Sequence, residues 1–455
     1  MEKQTFRGNA ERNITLMSHS AHSLLPENRL QQAGVHLFYL FGCSIFISKA
    51  AINIGYGLLL LTFLIYIVKT DHRTFFRENR YILFLLVPAA VSFLLSFFSL
   101  AGLKGGGEFL SRYRFVLLIL PFAAFIRDKN LLMRLVIAMN IGALIDMIYS
   151  ALNSDLSNPF QNIWGFHKFG RHSDMLFTLC LINSTILLLK FKFKQLSEHR
   201  TGYALLAVNT LLLFVTVALI GQRGAYVGLF FGLITLFLLH SRRLLILMIV
   251  IMLLSPLFAP SYIIQRTRSI FEIGDLSKTV KIEDIKKAKS TLEVGKLSNS
   301  VRIRLMKLGV EMIGEKKLYF RGTGAKTIKS AVKEYLDTKS QAVRDHYNDL
   351  LTVFPGNFHN SYLQMAIECG VFSLLLYLSV IAFLMFKMLR SLKQAVFDDH
   401  IFLSCNLACM TGFAICSFFH EEFFKYGGLV AFLCFYGGCM VNSRLAHAPK
   451  GASDG

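Results

Sequence analysis

The stretch PGNFHNSYLQMAIECG, Pro355 to Gly370, marks the point where a long polar segment ends and a hydrophobic helix begins. His359 and Asn360 stand at the start of that helix, and Glu368 lies further into it. Ionisable groups at membrane depth are costly, so they usually face protein or water instead of lipid. A histidine, an amide and a carboxylate at this boundary therefore indicate a polar site that faces an aqueous cavity.

The apolar residues around this stretch are too many for a soluble domain. Of 455 residues, 54% are hydrophobic and 42 are phenylalanine, and the mean hydropathy is +0.50. They form continuous blocks of about 17–25 residues, the length that crosses a bilayer as a helix. The sequence thus predicts an all-α polytopic membrane protein with about twelve transmembrane helices. The predicted spans are 33–48, 51–68, 81–102, 113–126, 131–152, 174–191, 203–221, 224–240, 244–262, 360–387, 400–419 and 425–443.

The net charge of +21 is distributed among loops. Every second short loop is rich in Lys and Arg, as the positive-inside rule expects of cytoplasmic loops. A nucleic-acid-binding protein would concentrate this charge on one face, so no nucleic-acid partner is predicted. The first thirty-odd residues lack the apolar core of a secretory signal peptide, which favours a first span that is a retained signal anchor.

This topology divides the chain into five parts and places both termini in the cytoplasm. They are a cytoplasmic tail at 1–32, nine spans at 33–262, a periplasmic loop domain at 263–359, three spans at 360–443, and a cytoplasmic tail at 444–455. The loop domain is rich in Lys, Glu and Asp, and its apolar spacing predicts two or three helices that lie over the membrane face. A loop of this size is usually functional.

Several cations lie on the predicted outer side, against the positive-inside rule. They are Lys104, Arg112, Arg114, Lys168, Arg171, Arg223, Arg302 and Arg304. An anionic ligand supplied from the membrane would explain them. Snorkelling to lipid headgroups, or a solvated charged helix face, would explain each of them singly, and these alternatives remain open.

Arg223 lies in a short break between two spans, at the start of the next helix. The helix dipole and the free backbone N–H groups there favour an anion, and a guanidinium can bind two phosphate oxygens at once. Arg302 lies on a predicted helix that runs toward the membrane, and Arg304, two residues further on, points elsewhere if that segment is helical.

His359 can act as a general base near neutral pH. It can equally donate a hydrogen bond to a phosphate or be a structural interfacial residue. Together, a histidine and several arginines beside a bilayer suit a lipid-linked diphosphate. The arginines would hold the pyrophosphate and stabilise its charge as it leaves, while a base takes the proton from an incoming hydroxyl.

Neither a metal nor another cofactor is predicted. The outer loops contain no HExxH or DxD pattern, and the spacing of Glu421 and Glu422 beside His420 is poor for metal ligands. The eight cysteines all fall within or beside apolar spans, which indicates no disulfide framework in the long polar loop.

Three motifs, in this order along the chain, resemble those of bacterial O-antigen ligases. They are GQRGAYVGL at 221–229, VRIRLMKLGVEMI at 301–313 and FHNSYLQMAIECGVF at 358–372. The same superfamily contains O-antigen polymerases and bacterial O-oligosaccharyltransferases. The layout of twelve spans with a large outer loop before the histidine motif is also similar, and the resemblance implies a GT-C-like membrane fold.

The resemblance implies a glycosyltransferase of the bacterial inner membrane. Such ligases transfer a glycan from undecaprenyl diphosphate to lipid A–core at the periplasmic face, with inversion and without nucleotide or metal. It assigns pyrophosphate binding to Arg223 and Arg302, and a role essential for transfer to His359. Further substrate-binding candidates match less closely: they are Arg304 as the alternative to Arg302, and Arg112, Arg114, Arg171 and Asn360.

Three other functions compete with the ligase. A polymerase uses the same donor with a second lipid-linked glycan as acceptor, and His359 favours the ligase over it. Relatives that glycosylate proteins usually carry an additional C-terminal domain. A lipid or ion transporter would require broken or polar helices at mid-membrane, whereas most predicted spans are continuous.

Overall fold

The computed structural model describes residues 29–153, 171–192, 200–220, 222–254, 264, 265, 268, 272, 291–353, 357–420 and 426–447. Regular structure in these residues is entirely helical, which confirms the all-α polytopic class. The α-helices are α1 Arg29–Ile47, α2 Lys49–Lys69, α3 His72–Glu78, α4 Tyr81–Phe97, α5 Leu103–Tyr113, α6 Ile119–Phe125, α7 Lys129–Leu152, α8 Arg171–Lys192, α9 Arg200–Ile220, α10 Arg223–His240, α11 Arg242–Leu254, α12 Thr291–Glu315, α13 Ile328–Asp337, α14 Gln341–Val353, α15 Ser361–Cys369, α16 Val371–Ser391, α17 Phe397–Cys416 and α18 Leu429–His447.

Nine helices in the described residues are long and apolar enough to cross a membrane: α1, α2, α7, α8, α9, α10, α16, α17 and α18. The pair α3 and α4, bent by 99° at its break, would make a tenth if it counts as one span. Twelve spans therefore stay a prediction. The ninth predicted span, 244–262, corresponds to α11, and its residues 255–262 lie outside the described part of the chain.

The predicted span at 113–126 is not one continuous helix. A 3-10 helix, Arg114–Leu118, joins α5 to the seven-residue α6. The Arg114 carbonyl accepts a hydrogen bond from the Tyr56 hydroxyl at 2.9 Å, and Pro121, in the first turn of α6, has no N–H to donate. Both features favour a break in the regular α-helical ladder here.

The predicted span at 360–387 is also divided. Gly370, with φ of +92°, separates α15 from α16. The segment Leu318–Gly324 runs against this break, accepting hydrogen bonds from Val371 N–H at 3.1 Å and donating one from Gly324 N–H to Glu368 O at 3.0 Å. The backbone groups that the break frees are thus paired, as a low-dielectric setting requires.

Close helix contacts through glycine fix the positions of α10 and α17. A Cβ at Gly228 would lie 2.9 Å from the Gly412 carbonyl oxygen, and one at Gly412 would lie 2.5 Å from the Gly228 oxygen. Small residues let membrane helices approach this closely, and dispersion contacts then stabilise the pair. The packing brings the start of α10 beside the residues that follow α17.

Helices α12, α13 and α14 have a hydrophobic core of their own, in line with the helices expected in the long polar segment. It is built from Val301, Leu305, Leu308, Met312, Leu318, Ile328, Val332, Tyr335, Leu336, Tyr347, Phe358 and Ile367. Phe358 and Ile367 belong to the α15 region, so this small core is anchored on the turn that carries His359. The side of the membrane on which it lies stays a prediction.

Candidate functional site

Arg223 is the first residue of α10 and is only 6% exposed. Its guanidinium donates hydrogen bonds to Asn299 Oδ1 at 2.7 Å and to Ser298 Oγ at 3.2 Å, both on α12. These two neutral partners orient the guanidinium. The free N–H groups of the first turn of α10 add further positive potential at the same place.

Arg302 lies on the face of α12 that connects Arg223 to the histidine turn. It follows Ser298 by four residues and precedes Gly309 by seven, spacings that keep all three on one face. A Cβ at Gly309 would lie 2.8 Å from Leu363 and 3.0 Å from Phe358. Along α12, Arg302 thus lies between Ser298, which contacts Arg223, and Gly309, which contacts the α15 region. Arg302 itself is half-buried.

Arg304 lies in a different environment. It is 2% exposed and donates a hydrogen bond to the backbone carbonyl of His346 on α14, within the small core. Sequence reasoning left the choice between Arg302 and Arg304 open; Arg302 shares a helix face with Ser298, a partner of Arg223, whereas Arg304 contacts α14. Arg304 instead joins α12 to α14.

His359 occupies a strained turn immediately before α15. Its φ is +50°, a conformation that residues other than glycine rarely adopt. Phe358 N–H donates to Gln364 Oε1 at 3.2 Å, and the Asn360 side chain accepts from the N–H groups of Tyr362 and Leu363, each at 3.0 Å. Such an N-cap stabilises a helix by about 1 kcal/mol, so Asn360 holds the turn that presents His359.

The start of α15 is attached to the residues after α17. Ser361 N–H donates to Ser417 O at 2.8 Å, and the Ser361 hydroxyl donates to His420 O at 2.6 Å. A Cβ at Gly224 would lie 2.9 Å from His420 Cε1 and Nε2. The histidine turn, the end of α17 and the start of α10 therefore meet at one end of the bundle.

Asp174, Cys416 and His420 form a group that sequence reasoning missed. Both Asp174 carboxylate oxygens lie 2.9 Å from His420 Nδ1, and Cys416 Sγ lies 3.3 Å from Asp174 Oδ1. Asp174 is fully buried. A carboxylate in the first turn of an apolar span was the available signal, but its partner histidine lies 246 residues away. Glu421 and Glu422 are outside the described residues.

This group allows two kinds of chemistry. As a hydrogen-bonded dyad, Asp174 accepts from His420 Nδ1 and leaves Nε2 available beside Gly224, the arrangement that orients a general base. The three side chains also offer one oxygen, one sulfur and one nitrogen within 4.8 Å of one another, a donor set suited to a cation.

Arg112 is paired with a buried carboxylate. Its guanidinium lies 2.9 Å from Glu368 Oε1, and Glu368 is fully buried. Glu368 also accepts from the Tyr113 hydroxyl at 2.9 Å, from Gln364 Nε2 at 2.6 Å and from Lys326 N–H at 3.2 Å. These contacts hold α15 in position behind the histidine turn. In this structure Arg112 therefore has a structural role.

A second ion pair lies next to the contacts of Arg112 and Glu368. Lys326 Nζ lies 2.8 Å from Glu108 Oε2 on α5, and its hydrogen bond lowers the pKa of Glu108 below the ordinary value. Both groups are substantially exposed, so this pair contributes little stability on its own. It joins α5 to the segment that lines the α15–α16 break.

The two remaining arginine candidates lie outside these contacts. Arg114 donates to Asn53 Oδ1 at 2.7 Å and to Tyr426 OH at 3.4 Å, and its guanidinium lies 5.1 Å from the Phe115 ring centroid. Arg171 is the first residue of α8, three residues before Asp174, but its side chain lies outside the described residues.

Comparison with known proteins adds one finding. The model of a protein family described as O-Antigen ligase matches residues 208–378. The matched region contains Arg223, Arg302, Arg304 and His359, and leaves Asp174 and His420 outside it. No curated protein matches the chain. The family includes both ligases and polymerases, and its members use lipid-linked polysaccharides in a membrane. Residues 208–378 are therefore similar to this family, and the apolar helices indicate a multi-pass membrane protein.

Proposed function

We propose that this protein is an O-antigen ligase, which transfers a polysaccharide from undecaprenyl diphosphate to lipid A–core. The observation that carries the proposal is that α12, the helix of Arg302, contacts Arg223 through Asn299 and the His359 turn through Gly309, all within the matched region. Both substrates are lipids, so a site at the end of membrane helices can reach their headgroups.

The arginines would bind the pyrophosphate of the donor. Arg223 is already oriented by Ser298 and Asn299, so little reorganisation is needed when the anion arrives. As the bond between the anomeric carbon and the phosphate oxygen breaks, negative charge develops on the departing pyrophosphate. Cations fixed in a poorly solvated site stabilise that charge more than they stabilise the bound donor.

His359 would take the proton of the acceptor hydroxyl as its oxygen attacks the anomeric carbon from the face opposite the pyrophosphate. Attack from that side inverts the anomeric centre. The proton is transferred to the imidazole of His359, the glycosidic bond to the acceptor oxygen forms, and undecaprenyl diphosphate departs. Since the arginines provide the charge stabilisation, the proposed mechanism uses no metal.

Lipopolysaccharide profiles of a deletion strain test the assignment. Loss of a ligase leaves core without O-antigen, whereas loss of a polymerase leaves core carrying one repeat. Complementation with the intact gene should restore long chains. A single-repeat profile would replace the proposal with the polymerase alternative, and an unchanged profile would favour another function, such as lipid or ion transport.

We further propose the inner membrane as the location, with the site in the periplasm and both termini in the cytoplasm. The alternation of basic loops supports this orientation. A cysteine introduced at Lys296, beside Asn299, should react with an impermeant reagent in cells with a permeabilised outer membrane. Labelling only after the inner membrane is opened would reverse the orientation.

A further inference from the structure

A cavity of about 720 Å³ lies at the end of the bundle opposite the candidate site. It is enclosed by the end of α2, by α3, by the start of α4, by the end of α6 and by the end of α18. Tyr426, which contacts Arg114, lies in the short 3-10 helix before α18, whereas Arg444, which lines the cavity, lies about 22 Å along α18 from its first residue, Leu429. The cavity is therefore independent of the chemistry proposed above.

The cavity lining is rich in arginine. It includes Arg77, Arg80, Arg127 and Arg444. Arg77 and Arg80 are exposed and form no ion pair with any described residue. Arg127 is held in place by hydrogen bonds to the Tyr66 hydroxyl and to Ala124 O. An anion that entered the cavity would meet several guanidinium groups.

The two carboxylates of the lining, Asp71 and Glu78, offset only part of this charge. Asp71 caps α3, accepting hydrogen bonds from Arg73 N–H at 3.0 Å and from the Thr74 hydroxyl at 2.5 Å. Glu78 is exposed and forms no ion pair with a described residue. Four arginines against two carboxylates leave the cavity net positive.

Tyr81 supplies an independent sign of a ligand. It lines the cavity, is 6% exposed, and its buried hydroxyl makes no hydrogen bond to any described residue. Burying a hydroxyl without an acceptor is unfavourable, so such groups usually mark a missing partner. A phosphate oxygen among the arginines would accept this hydrogen bond.

A second, apolar cavity of about 590 Å³ adjoins the first and shares Arg77 and Arg80 with it. Its other lining residues are Phe76, Leu83, Phe84, Val87 and Val380. From Arg80 to Val87, α4 rises by about 10 Å, so the groove runs from the charged cavity along the span. This places an apolar channel directly beside a cationic headgroup cavity.

We propose that the two cavities form one binding site for an anionic phospholipid. The phosphate lies among the arginines and accepts from the Tyr81 hydroxyl, while an acyl chain lies in the groove between α4 and α16. The bend of 99° between α3 and α4 fits this arrangement, since α3 would then follow the membrane surface at headgroup level. Neither the proposed ligase activity nor the sidedness of the membrane is required.

Native mass spectrometry of the purified, delipidated protein tests this site. Phosphatidylglycerol and phosphatidylcholine with identical acyl chains are titrated separately. We expect at least tenfold tighter binding of phosphatidylglycerol, at least a tenfold loss in the Arg77→Gln/Arg80→Gln variant, and a smaller loss in Tyr81→Phe. The matched control is Arg242→Gln/Arg243→Gln, an exposed basic pair at the same end outside the cavity, which should bind as the parent does.

A steric variant keeps the test valid if the charge variant does not fold. Val87→Trp, at a 52% exposed position of the groove, should weaken phosphatidylglycerol binding without changing any charge. Equal binding of the two lipids, or an equal loss in the control pair, would overturn the proposal. So would full competition by millimolar inorganic phosphate together with normal binding in Val87→Trp, because the cavity would then be a free phosphate site.

Discussion

Arg223, at one end of the helical bundle, and Lys129 and Lys190, at the other, lie in different environments. At the candidate-site end, Arg223 is buried and hydrogen-bonded to the neutral side chains of Ser298 and Asn299. At the opposite end, Lys129 lies 3.0 Å from Asp399, and Lys190 lies 3.8 Å from Asp398. Lys129 and Lys190 are thus paired with carboxylates, whereas the guanidinium of Arg223 is oriented by hydrogen bonds to neutral side chains. Burial and a fixed orientation, more than the number of cations, separate Arg223 from these partly exposed lysines.

Replacing Arg223 or Arg302 should have the largest effect. Arg223→Ala and Arg302→Ala should each lower the transfer rate by about 10³–10⁵, the range seen where an arginine stabilises phosphoryl charge. The lysine variants should recover only part of the lost transfer rate, because an ammonium group cannot reproduce the bidentate contact of a guanidinium. Transfer by purified protein in lipid vesicles, at matched amounts of monodisperse protein, measures the effect.

Arg242→Ala provides the matched control for these variants, since it removes an exposed arginine from the start of a helix at the opposite end. It should retain parental activity. Comparable losses in Arg242→Ala and Arg223→Ala would break the contrast between the ends and point to a general effect of charge on insertion.

His359→Ala should lower transfer by about 10²–10⁴, the usual contribution of a general base. Donor binding should stay close to that of the parent if His359 acts on the acceptor hydroxyl. Parallel losses of donor affinity and transfer would make His359 a phosphate ligand, and unchanged transfer would leave it a structural residue. Single-turnover transfer and donor affinity on the same preparation separate these outcomes.

The same transfer assay can test the Asp174–His420 pair. If the pair orients His420 as a second proton acceptor, Asp174→Asn should slow transfer and alter its pH profile while chelators leave the parent unaffected. Loss of parental activity on chelation, with zinc bound in the parent and absent from Cys416→Ser, would show instead that the group holds a metal and would remove the metal-free mechanism.

Arg112→Ala should affect folding before it affects chemistry. It leaves the fully buried Glu368 carboxylate without its ion-pair partner, and such a change destabilises by about 3–5 kcal/mol. A lower thermal transition in detergent, with Arg112→Ala/Glu368→Gln closer to the parent, would support the structural role. Normal stability with lost donor binding would return Arg112 to the substrate-binding residues.

Arg304→Ala tests the assignment on α12. Hydrogen bonds to charged groups contribute about 1.5–3 kcal/mol, so loss of the contact with His346 O should lower stability while residual activity follows the folded fraction. A normal melting profile with abolished transfer would reverse the roles of Arg302 and Arg304.

Hydropathy and motif spacing predicted most of the long helices and placed Arg223 and His359 at helix starts. They could not predict the break at Gly370, because it depends on the segment Leu318–Gly324, nearly 50 residues earlier. Nor could they pair Asp174 with His420, which are adjacent only after α8 and α17 pack. For Arg302 and Arg304, periodicity gave two different faces but not which face lies in the core.

The smallest effect is expected at the Lys129–Asp399 ion pair, at the end of the bundle opposite the candidate site. Lys129→Ala removes a partly exposed partner of Asp399, with 35% of the lysine side chain accessible, and surface ion pairs contribute about 0–1 kcal/mol. Transfer should be unchanged and the thermal transition nearly so, with any difference decreasing as salt rises. Lys129 is the first residue of α7, so replacing it with alanine changes helix propensity as well as charge. Lys129→Gln, which also removes the charge, serves as the control for the change in helix propensity. A loss of transfer in both variants that high salt does not diminish would mean that this end communicates with the candidate site, and the two ends would then have to be treated as one coupled unit.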